Sequence, residues 1–235
     1  SIEIDTLGKL FIPKEKKTPN LKRIKSKGKL KIESKVPNLV SIESEKTSHI
    51  RIDSSISLDK IVSFNKMSGQ TDFFNVKFQN VKVIDLPPYA KMNFCKNSRI
   101  SGVQTIIIRE NASLNFEKNT IYLNYGSENL LKIYNMGFFV SQTPLYNVTS
   151  IYNGKNAELV LLDETTVKGR KLINDDSKYM NVPSYINLID DAMKKANKNN
   201  QQEKMIGVFN EGKLLVKSTT KEKEKESSLL GDIGS

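Results

Sequence analysis

Residues 90–100 read AKMNFCKNSRI and residues 112–122 read ASLNFEKNTIY, so nearly the same phrase occurs twice, 22 positions apart. Ala, Asn, Phe, Lys and Asn recur in place, while Leu replaces Met and Thr replaces Ser. Each phrase alternates apolar and polar residues, which is typical of a β-strand with one buried face. The pair therefore predicts two equivalent strands of a repeating β-structure.

A related repeat begins near the amino end. Gly8-Lys9-Leu10-Phe11-Ile12 recurs as Gly28-Lys29-Leu30-Lys31-Ile32 and then, after an equal interval, as Ser48-His49-Ile50-Arg51-Ile52. A second phrase interleaves with it, because Pro19-Asn20-Leu21 recurs at a slightly shorter interval as Pro37-Asn38-Leu39. Short apolar strand cores, punctuated by Gly, Asn, Ser and Pro, continue to about residue 161.

Two architectures produce short strands at regular intervals. An antiparallel meander turns through hairpins, and Asn153-Gly154 is the only strong two-residue hairpin signal in the chain. A parallel solenoid returns the chain to the same place ~4.8 Å higher after each turn, so equivalent residues stack in columns. Only the solenoid requires residue identity at a fixed period. It places Phe94 beside Phe116, Asn93 beside Asn115 and Asn97 beside Asn119.

We therefore predict an all-β fold, a single-chain parallel β-solenoid (β-helix) of about eight turns, within a repeat domain of residues 1–170. The G-K-Φ-x-Φ and A-x-Φ-N-F-x-K-N phrases, where Φ is apolar, resemble those of parallel β-helix proteins such as autotransporter passengers and phage tailspikes. The resemblance implies the architecture and carries over no functional residue.

Residues 171–218 are predicted to form a helix plus a strand. The segment 184–204 places Ile186, Ile189 and Met193 on one helical face. A lone amphipathic helix needs a partner, so we expect it to cap the open end of the solenoid or to dock on another protein. Residues 205–217 return to strand, with a hairpin as one way to turn at 210–212, and the Gly8 phrase recurs at Gly212.

The last segment, 219–235, is predicted to be a charged linker with an apolar tip. TTKEKEKES precedes SLLGDIGS, which contains Leu229, Leu230 and Ile233. The tip either anchors in a neighbouring subunit or is a plain disordered end. Together with the helical face, these three residues are the candidate contacts with partner proteins.

The net charge is +11 with a pI of about 9.5. Such a balance attracts phosphate, anionic lipid or acidic glycans without selecting among them. Most lysines alternate with apolar residues, as in residues 29–32, so they fit either a solvated strand face or a selected anion-binding face. Arg is scarce and the Phe residues point inward in the predicted strands, so specific nucleic-acid binding is not expected.

No apolar run approaches the ~20 residues of a membrane span.

The chain offers few residues for chemistry. His49 is the only His and takes the place of Lys9 and Lys29, so it should face outward. Cys95 is the only Cys and takes the place of Glu117, which predicts an outward thiol about two turns from His49. A metal site needs several converging ligands. We therefore predict no metal site, no cofactor and no catalytic residue.

Glu33 and Asp53 are the one carboxylate pair that a solenoid would stack, because they lie one repeat length apart. Glycan hydrolysis uses such a pair. However, Lys31 and Arg51 form the adjacent column, which favours a surface ion-pair ladder instead.

Three functions fit these patterns. The first is a non-enzymatic structural rod in a larger assembly, such as a phage virion or a surface appendage, acting through contacts with other subunits. The second is a secreted or surface adhesin that binds a host glycan or receptor. The third is a tailspike-like glycan-degrading enzyme. All three predict a virion or extracellular location.

Overall fold

The computed structural model describes residues 1–123, 130–167, 170–171 and 208–217. All regular structure in these ranges is β-strand, and the strand pairing forms a parallel β-solenoid, as predicted. Six predicted partner contacts lie outside the described residues: Ile186, Ile189, Met193, Leu229, Leu230 and Ile233.

Twenty-two strands are described. In chain order they are β1 (Ile2–Ile4), β2 (Lys9–Ile12), β3 (Arg23–Ser26), β4 (Lys29–Ile32), β5 (Ser41–Ser44), β6 (His49–Ser57), β7 (Ser63–Phe64), β8 (Gln70–Phe78), β9 (Val83–Leu86), β10 (Lys91–Phe94), β11 (Arg99–Ser101), β12 (Thr105–Ile108), β13 (Ser113–Phe116), β14 (Ile121–Leu123), β15 (Leu131–Asn135), β16 (Phe138–Ser141), β17 (Val148–Asn153), β18 (Glu158–Leu162), β19 (Thr166–Val167), β20 (Arg170–Lys171), β21 (Val208–Asn210) and β22 (Lys213–Lys217).

The strands stack into two long walls. One wall, called here the long sheet, runs in the order β2-β4-β6-β8-β10-β13-β16-β18-β22, with β11 and β14 forming a short third side beside it. The opposite wall consists of the sheet β1-β3-β5, followed by the sheet that contains β7, β9, β12, β15 and β17. The strand pairs within the long sheet are parallel. Seven steps separate β2 from β18, so the chain makes seven solenoid turns between them.

The repeated phrases occupy equivalent places in successive turns. Phe94 pairs with Phe116 and Asn93 with Asn115 in the parallel register of β10 and β13. The backbone N–H of Asn97 donates to the carbonyl of Asn119 at 3.1 Å. The solenoid interpretation of the opening phrases is therefore confirmed, and the antiparallel meander is wrong.

Inward-facing residues of successive turns make one continuous apolar core. Six phenylalanines fill its middle, with centroids 4.9–6.2 Å apart in the paired rings: Phe64, Phe73, Phe78, Phe94, Phe116 and Phe139. Most of these pairs are edge-to-face, the arrangement that aromatic rings favour. Burial of such large rings is the main source of stability in a thin rod.

A small residue stands immediately before each strand of the long sheet, at the corner where the chain turns from one wall to the other. A Cβ on Gly28 would lie 2.3 Å from the carbonyl oxygen of Gly8 in the turn below, and one on Gly212 would lie 2.2 Å from that of Gly154. Close stacking of the corners therefore requires small residues. The column consists of Gly8, Gly28, Ser48, Gly69, Ala90, Ala112, Gly137, Ala157 and Gly212.

The solenoid continues in residues 208–217. β21 pairs in parallel with β17 and β22 pairs in parallel with β18, whereas β21 and β22 do not pair with each other, so they form no hairpin. The Gly212 phrase is thus a further copy of the Gly8 phrase in structure as well as in sequence.

A buried ladder of asparagines joins the last turns. Asn135 donates from Nδ2 to Oδ1 of Asn153 at 2.8 Å, and Asn153 donates likewise to Asn210 at 2.7 Å. Asn153 also donates to the carbonyl oxygen of Lys213 at 3.1 Å. All three side chains are fully buried. The ladder fixes the corners because the amides of Asn135 and Asn153 each donate to the turn that follows.

Candidate anion-binding face

Positive charge is concentrated in the first two solenoid turns. Residues 1–36 contain 11 Lys and Arg but only four Asp and Glu, so they carry +7 of the total +11. The much longer remainder of the chain carries only +4. A charge imbalance of this kind defines one end of the rod electrostatically.

Most of these cations have no counter-ion on the protein. Lys27 pairs with Glu45 at 3.3 Å and Lys31 pairs with Glu33 at 2.5 Å. The other nine make no ion pair within the described part of the chain; they are Lys9, Lys14, Lys16, Lys17, Lys22, Arg23, Lys25, Lys29 and Lys35. The first two turns therefore present a basic surface that the fold itself does not neutralise.

Part of this surface is a regular array on the outside of β2, β4 and β6, called here the basic face. The parallel register aligns one column, Lys9, Lys29 and His49, and beside it another, Phe11, Lys31 and Arg51. Neighbours in each column are one strand spacing, ~4.8 Å, apart. A shallow groove of ≈ 350 Å³ runs over both columns.

The basic face contains one exposed aromatic ring. Phe11 is 51% exposed, and the Nζ of Lys31 lies 5.1 Å from the centroid of its ring. A cation over a ring at this distance is a stabilising contact. It holds the Lys31 side chain on the face rather than free in solvent.

The next strand of the long sheet, β8, ends the basic face, because it carries the neutral Gln70 and the negative Asp72 in the same two columns. His49 Nε2 lies 2.7 Å from Asp72 Oδ2, and Asp72 also accepts hydrogen bonds from Gln70 and Asn93. His49 faces outward as predicted, and its partner is this carboxylate rather than Cys95, which lies two strands away in the long sheet. Beyond β6 the cationic columns are therefore interrupted.

A deeper cleft, called here the corner cleft, lies at the edge of the basic face and has a volume of ≈ 760 Å³. The loop that follows β2 lines the cleft with residues 14–19, which include Glu15, and Lys35 and Pro37 line it too; this set is called here the cationic wall. Glu33, residues 53–55 and Asn75 also line the cleft, and this set is called here the acidic wall. Cations and hydrogen-bond acceptors thus line the same cleft.

Glu33 and Asp53 lie side by side in the corner cleft, as their spacing predicts. Each carboxylate is ion-paired with the cation two residues before it: Glu33 with Lys31, and Asp53 with Arg51 at 3.0 Å. Asp53 also accepts a hydrogen bond from Asn75 Nδ2 at 2.9 Å. The predicted ion-pair ladder is confirmed.

Cys95 corrects a prediction. Its thiol was expected to face outward, but the residue is only 3% exposed. It lies in a tight turn after β10, where its N–H donates to Phe73 and its carbonyl accepts from Ser98. Burial, followed by the nearby Glu117 carboxylate, raises the pKa of the thiol to about 12. The comparison with Glu117 predicted the wrong orientation because Cys95 follows the end of β10, and side chains alternate strictly between inward and outward only within a strand.

Other site classes have no candidate among the described residues. No group of three or more His, Cys, Asp or Glu residues converges there as a metal site would require. In the same ranges, no helix is long and apolar enough to cross a membrane.

Comparison of the chain with protein-family models, with curated proteins and with solved structures finds no match.

No sequence motif marks the residues of the basic face or of the corner cleft. The available signal was the uneven distribution of charge along the chain, since residues 1–36 hold most of the excess. The sequence alone left two interpretations of the lysines, a solvated strand face and an anion-binding face. The lack of counter-ions around nine of these cations, within the described ranges, favours the second.

Proposed function

We propose that this protein is a non-enzymatic β-solenoid rod that holds a linear polyanion along its basic N-terminal turns. The observation that carries the proposal is the set of nine cations in residues 1–36 that have no ion-pair partner among the described residues. Several cations acting together on one polymer bind far more strongly than any one of them, because their field adds.

The solenoid is suited to this role because it fixes the spacing of the charges. Lys9, Lys29 and His49 are carried by strands hydrogen-bonded in parallel register over a packed core. A pre-organised array loses little conformational entropy when it binds, apart from the side chains themselves. A polymer with repeating charges can therefore contact several turns at once.

The rod would serve as a surface adhesin or as a component of a larger assembly. The assembly hypothesis has its own supporting observation at the other end of the long sheet. There the column becomes apolar at Val140, Val160 and Leu215; Val140 and Leu215 are partly exposed, Val160 is buried, and the neighbouring Phe138 is 42% exposed. Apolar residues on an otherwise solvated flank favour contact with another subunit.

Binding of two polyanions, dextran sulfate and polyphosphate, tests the proposed function. At low salt we expect at least one of them to bind, and the affinity to fall steeply as salt is added, because the contacts are ionic. Lys9→Gln/Lys29→Gln should weaken binding and flatten the salt dependence. The matched control, Lys77→Gln/Lys96→Gln, removes two charges outside the first two turns and should have little effect. Failure of both polyanions to bind would falsify the proposal.

Measurement of the mass in solution tests the assembly hypothesis. If the apolar flank joins copies of the chain, light scattering should give a mass above that of the 26.6 kDa chain. Phe138→Lys/Val140→Lys should then reduce the mass to that of the monomer. A monomer in both cases would count against self-assembly through this flank.

A further inference from the structure

We infer that the corner cleft selects an acidic polysaccharide over other polyanions, its lysines binding the acidic groups and its carboxylates accepting hydrogen bonds from sugar hydroxyls. This inference rests on the proposed function, which requires only that some polyanion bind. It adds the chemical class of the polymer and the residues that recognise it.

The cationic wall of the cleft supplies the charge attraction. Lys14, Lys16 and Lys17 follow one another closely in the loop after β2, with Glu15 between the first two, and Lys35 also lines the cleft. None of the four is ion-paired within the described part of the chain. Lysine ammonium groups carry three donors each and bind carboxylate or sulfate equally well as point charges.

The acidic wall supplies hydrogen-bond acceptors, which a site that binds anions by charge alone would not contain. Glu33 and Asp53 are carboxylates, which repel a densely charged polymer such as polyphosphate. An ionised carboxylate has about four acceptor positions. One cation contacts Glu33, and one cation with one amide contacts Asp53, so acceptor positions remain on both. Hydroxyl donors fit these positions.

The two walls together describe a ligand that bears both negative charges and many hydroxyl donors. An acidic polysaccharide has this combination, with an acid group on some sugar units and hydroxyls on nearly all. Ser55 is an exposed hydroxyl on the same wall and can both donate to and accept from a sugar. Pro19 and Pro37 also line the cleft, and their rings offer small apolar surfaces for the carbon–hydrogen face of a sugar.

A nucleic acid fits the cleft less well. Proteins that hold single strands stack bases on aromatic side chains. Among the described residues, no aromatic side chain lines the corner cleft, and Phe11 on the neighbouring basic face already has Lys31 over its ring. Phosphates at every nucleotide would also approach Glu33 and Asp53 without bringing enough hydroxyl donors to compensate.

The test compares dissociation constants for alginate oligosaccharides, polyphosphate and single-stranded DNA of equal total charge, with neutral dextran as a blank. Wild-type protein should bind alginate at least about tenfold more tightly than polyphosphate or DNA, a difference of about 1.4 kcal/mol. Neutral dextran should not bind, because the lysine wall needs an anion.

Variants separate the two walls. Lys14→Gln/Lys16→Gln/Lys17→Gln should weaken alginate binding about tenfold or more. The control Lys77→Gln/Lys91→Gln/Lys96→Gln removes the same charge elsewhere and should change the affinity less than about twofold. Glu33→Gln/Asp53→Asn should weaken alginate binding while strengthening binding of polyphosphate and DNA, since it halves the acceptor positions and removes the charge repulsion. If circular dichroism shows that this variant is misfolded, Ser55→Ala, which changes an exposed residue, replaces it, and weaker alginate binding is again the expected result.

The outcomes distinguish this inference from the proposed function. Equal binding of all three polyanions, with no opposite response to Glu33→Gln/Asp53→Asn, overturns the polysaccharide assignment and leaves the polyanion proposal standing. Tighter binding of DNA than of alginate overturns it in favour of a nucleic-acid site. Binding of none of the polyanions overturns both.

Discussion

Phe94 lies directly beneath Phe116 in the next solenoid turn, with ring centroids 5.1 Å apart and planes at 77°. Both rings are fully buried. Truncation of Phe116 to Ala leaves a cavity that rigid neighbouring turns cannot close, so we expect Phe116→Ala to cost about 3–5 kcal/mol of unfolding free energy.

Urea denaturation of the two proteins, followed by circular dichroism, measures this cost. Phe11→Ala is the matched control, because Phe11 is half exposed and packs with the Lys31 ammonium on the surface rather than in the core. We expect that variant to lose less than about 1 kcal/mol. Similar losses for both variants would contradict the importance of the buried aromatic column.

The corner glycines give a second prediction. A Cβ at Gly28 would meet the carbonyl oxygens of Gly8 and Asp5 at 2.3 and 2.4 Å, so the turns would have to separate. We expect Gly28→Ala to cost about 1–3 kcal/mol, in the range of other overpacked sites. At Gly154 the nearest atom would be 3.5 Å away, an ordinary contact. Gly154→Ala should therefore be close to neutral in the same denaturation experiment, and equal effects at the two sites would argue against corner stacking.

The buried thiol of Cys95 predicts a loss of stability at high pH. Its pKa is raised from 9.0 to about 12, so the folded protein keeps the proton while the unfolded chain loses it. The stabilisation is complete below about pH 9 and disappears as pH rises towards 12. Between pH 8 and 10.5, wild type should lose about 2 kcal/mol more unfolding free energy than Cys95→Ala.

The comparison with Cys95→Ala also removes a competing contribution. Burial raises the pKa of Tyr122 as well, in the same alkaline direction, but Tyr122 is present in both proteins. Parallel loss of stability in the two proteins would mean that Cys95 is ionised as easily in the folded state as in the unfolded chain.

The asparagine ladder predicts a difference between two isosteric changes, Asn153→Asp and Asn210→Asp. Asn153→Asp replaces a donor with a carboxylate oxygen that faces the acceptors on Asn210 and Lys213. Asn210 Nδ2, in contrast, donates to no partner among the described residues. Both changes bury a charge, but only the first removes donated hydrogen bonds. We expect Asn153→Asp to be the more destabilising by about 1–3 kcal/mol, measured by thermal or urea unfolding.

The non-enzymatic part of the proposal predicts that a bound polysaccharide stays intact. Glu33 and Asp53 are the carboxylates placed side by side, and each has a cationic partner on its own strand. Prolonged incubation with alginate should leave its length distribution unchanged on gel filtration. Shortening of the polymer that Glu33→Gln or Asp53→Asn abolishes would instead support the glycan-degrading function.

The fold was predictable because its main constraint repeats. Phe94 and Phe116 occupy one environment twice, so the same residue type recurs and reveals the period. The Gly212 phrase was visible too, yet its place beside β18 was not, because the long segment 163–212 intervenes between the two strands. The asparagine ladder was hidden for a similar reason, since its members are not spaced at one fixed period along the chain.

The candidate site was less predictable because it depends on non-repeating parts. The loop containing Lys14, Lys16 and Lys17 has no equivalent of the same sequence in later turns, so periodicity says nothing about its path. Cys95 was assigned outward because Glu117 takes its place in the next copy of the phrase, whereas burial of a small side chain depends on its particular neighbours. Counter-ions can be assigned only from distances, so the lack of ion pairs for nine cations of residues 1–36, among the described residues, could be established only from the structure.

Because the corner column of small residues repeats in every turn, a whole turn can be removed from the rod or added to it. Because Ala90 and Ala112 hold equivalent corners, excision of residues 91–112 would join two matching positions and let β13 stack on β8 in the register that β10 now occupies. The same junction would accept an inserted copy. Length can thus drift in whole steps of ~4.8 Å during evolution, while the turns carrying the positive charge stay untouched. The length of the rod can therefore change without any change in its positively charged turns.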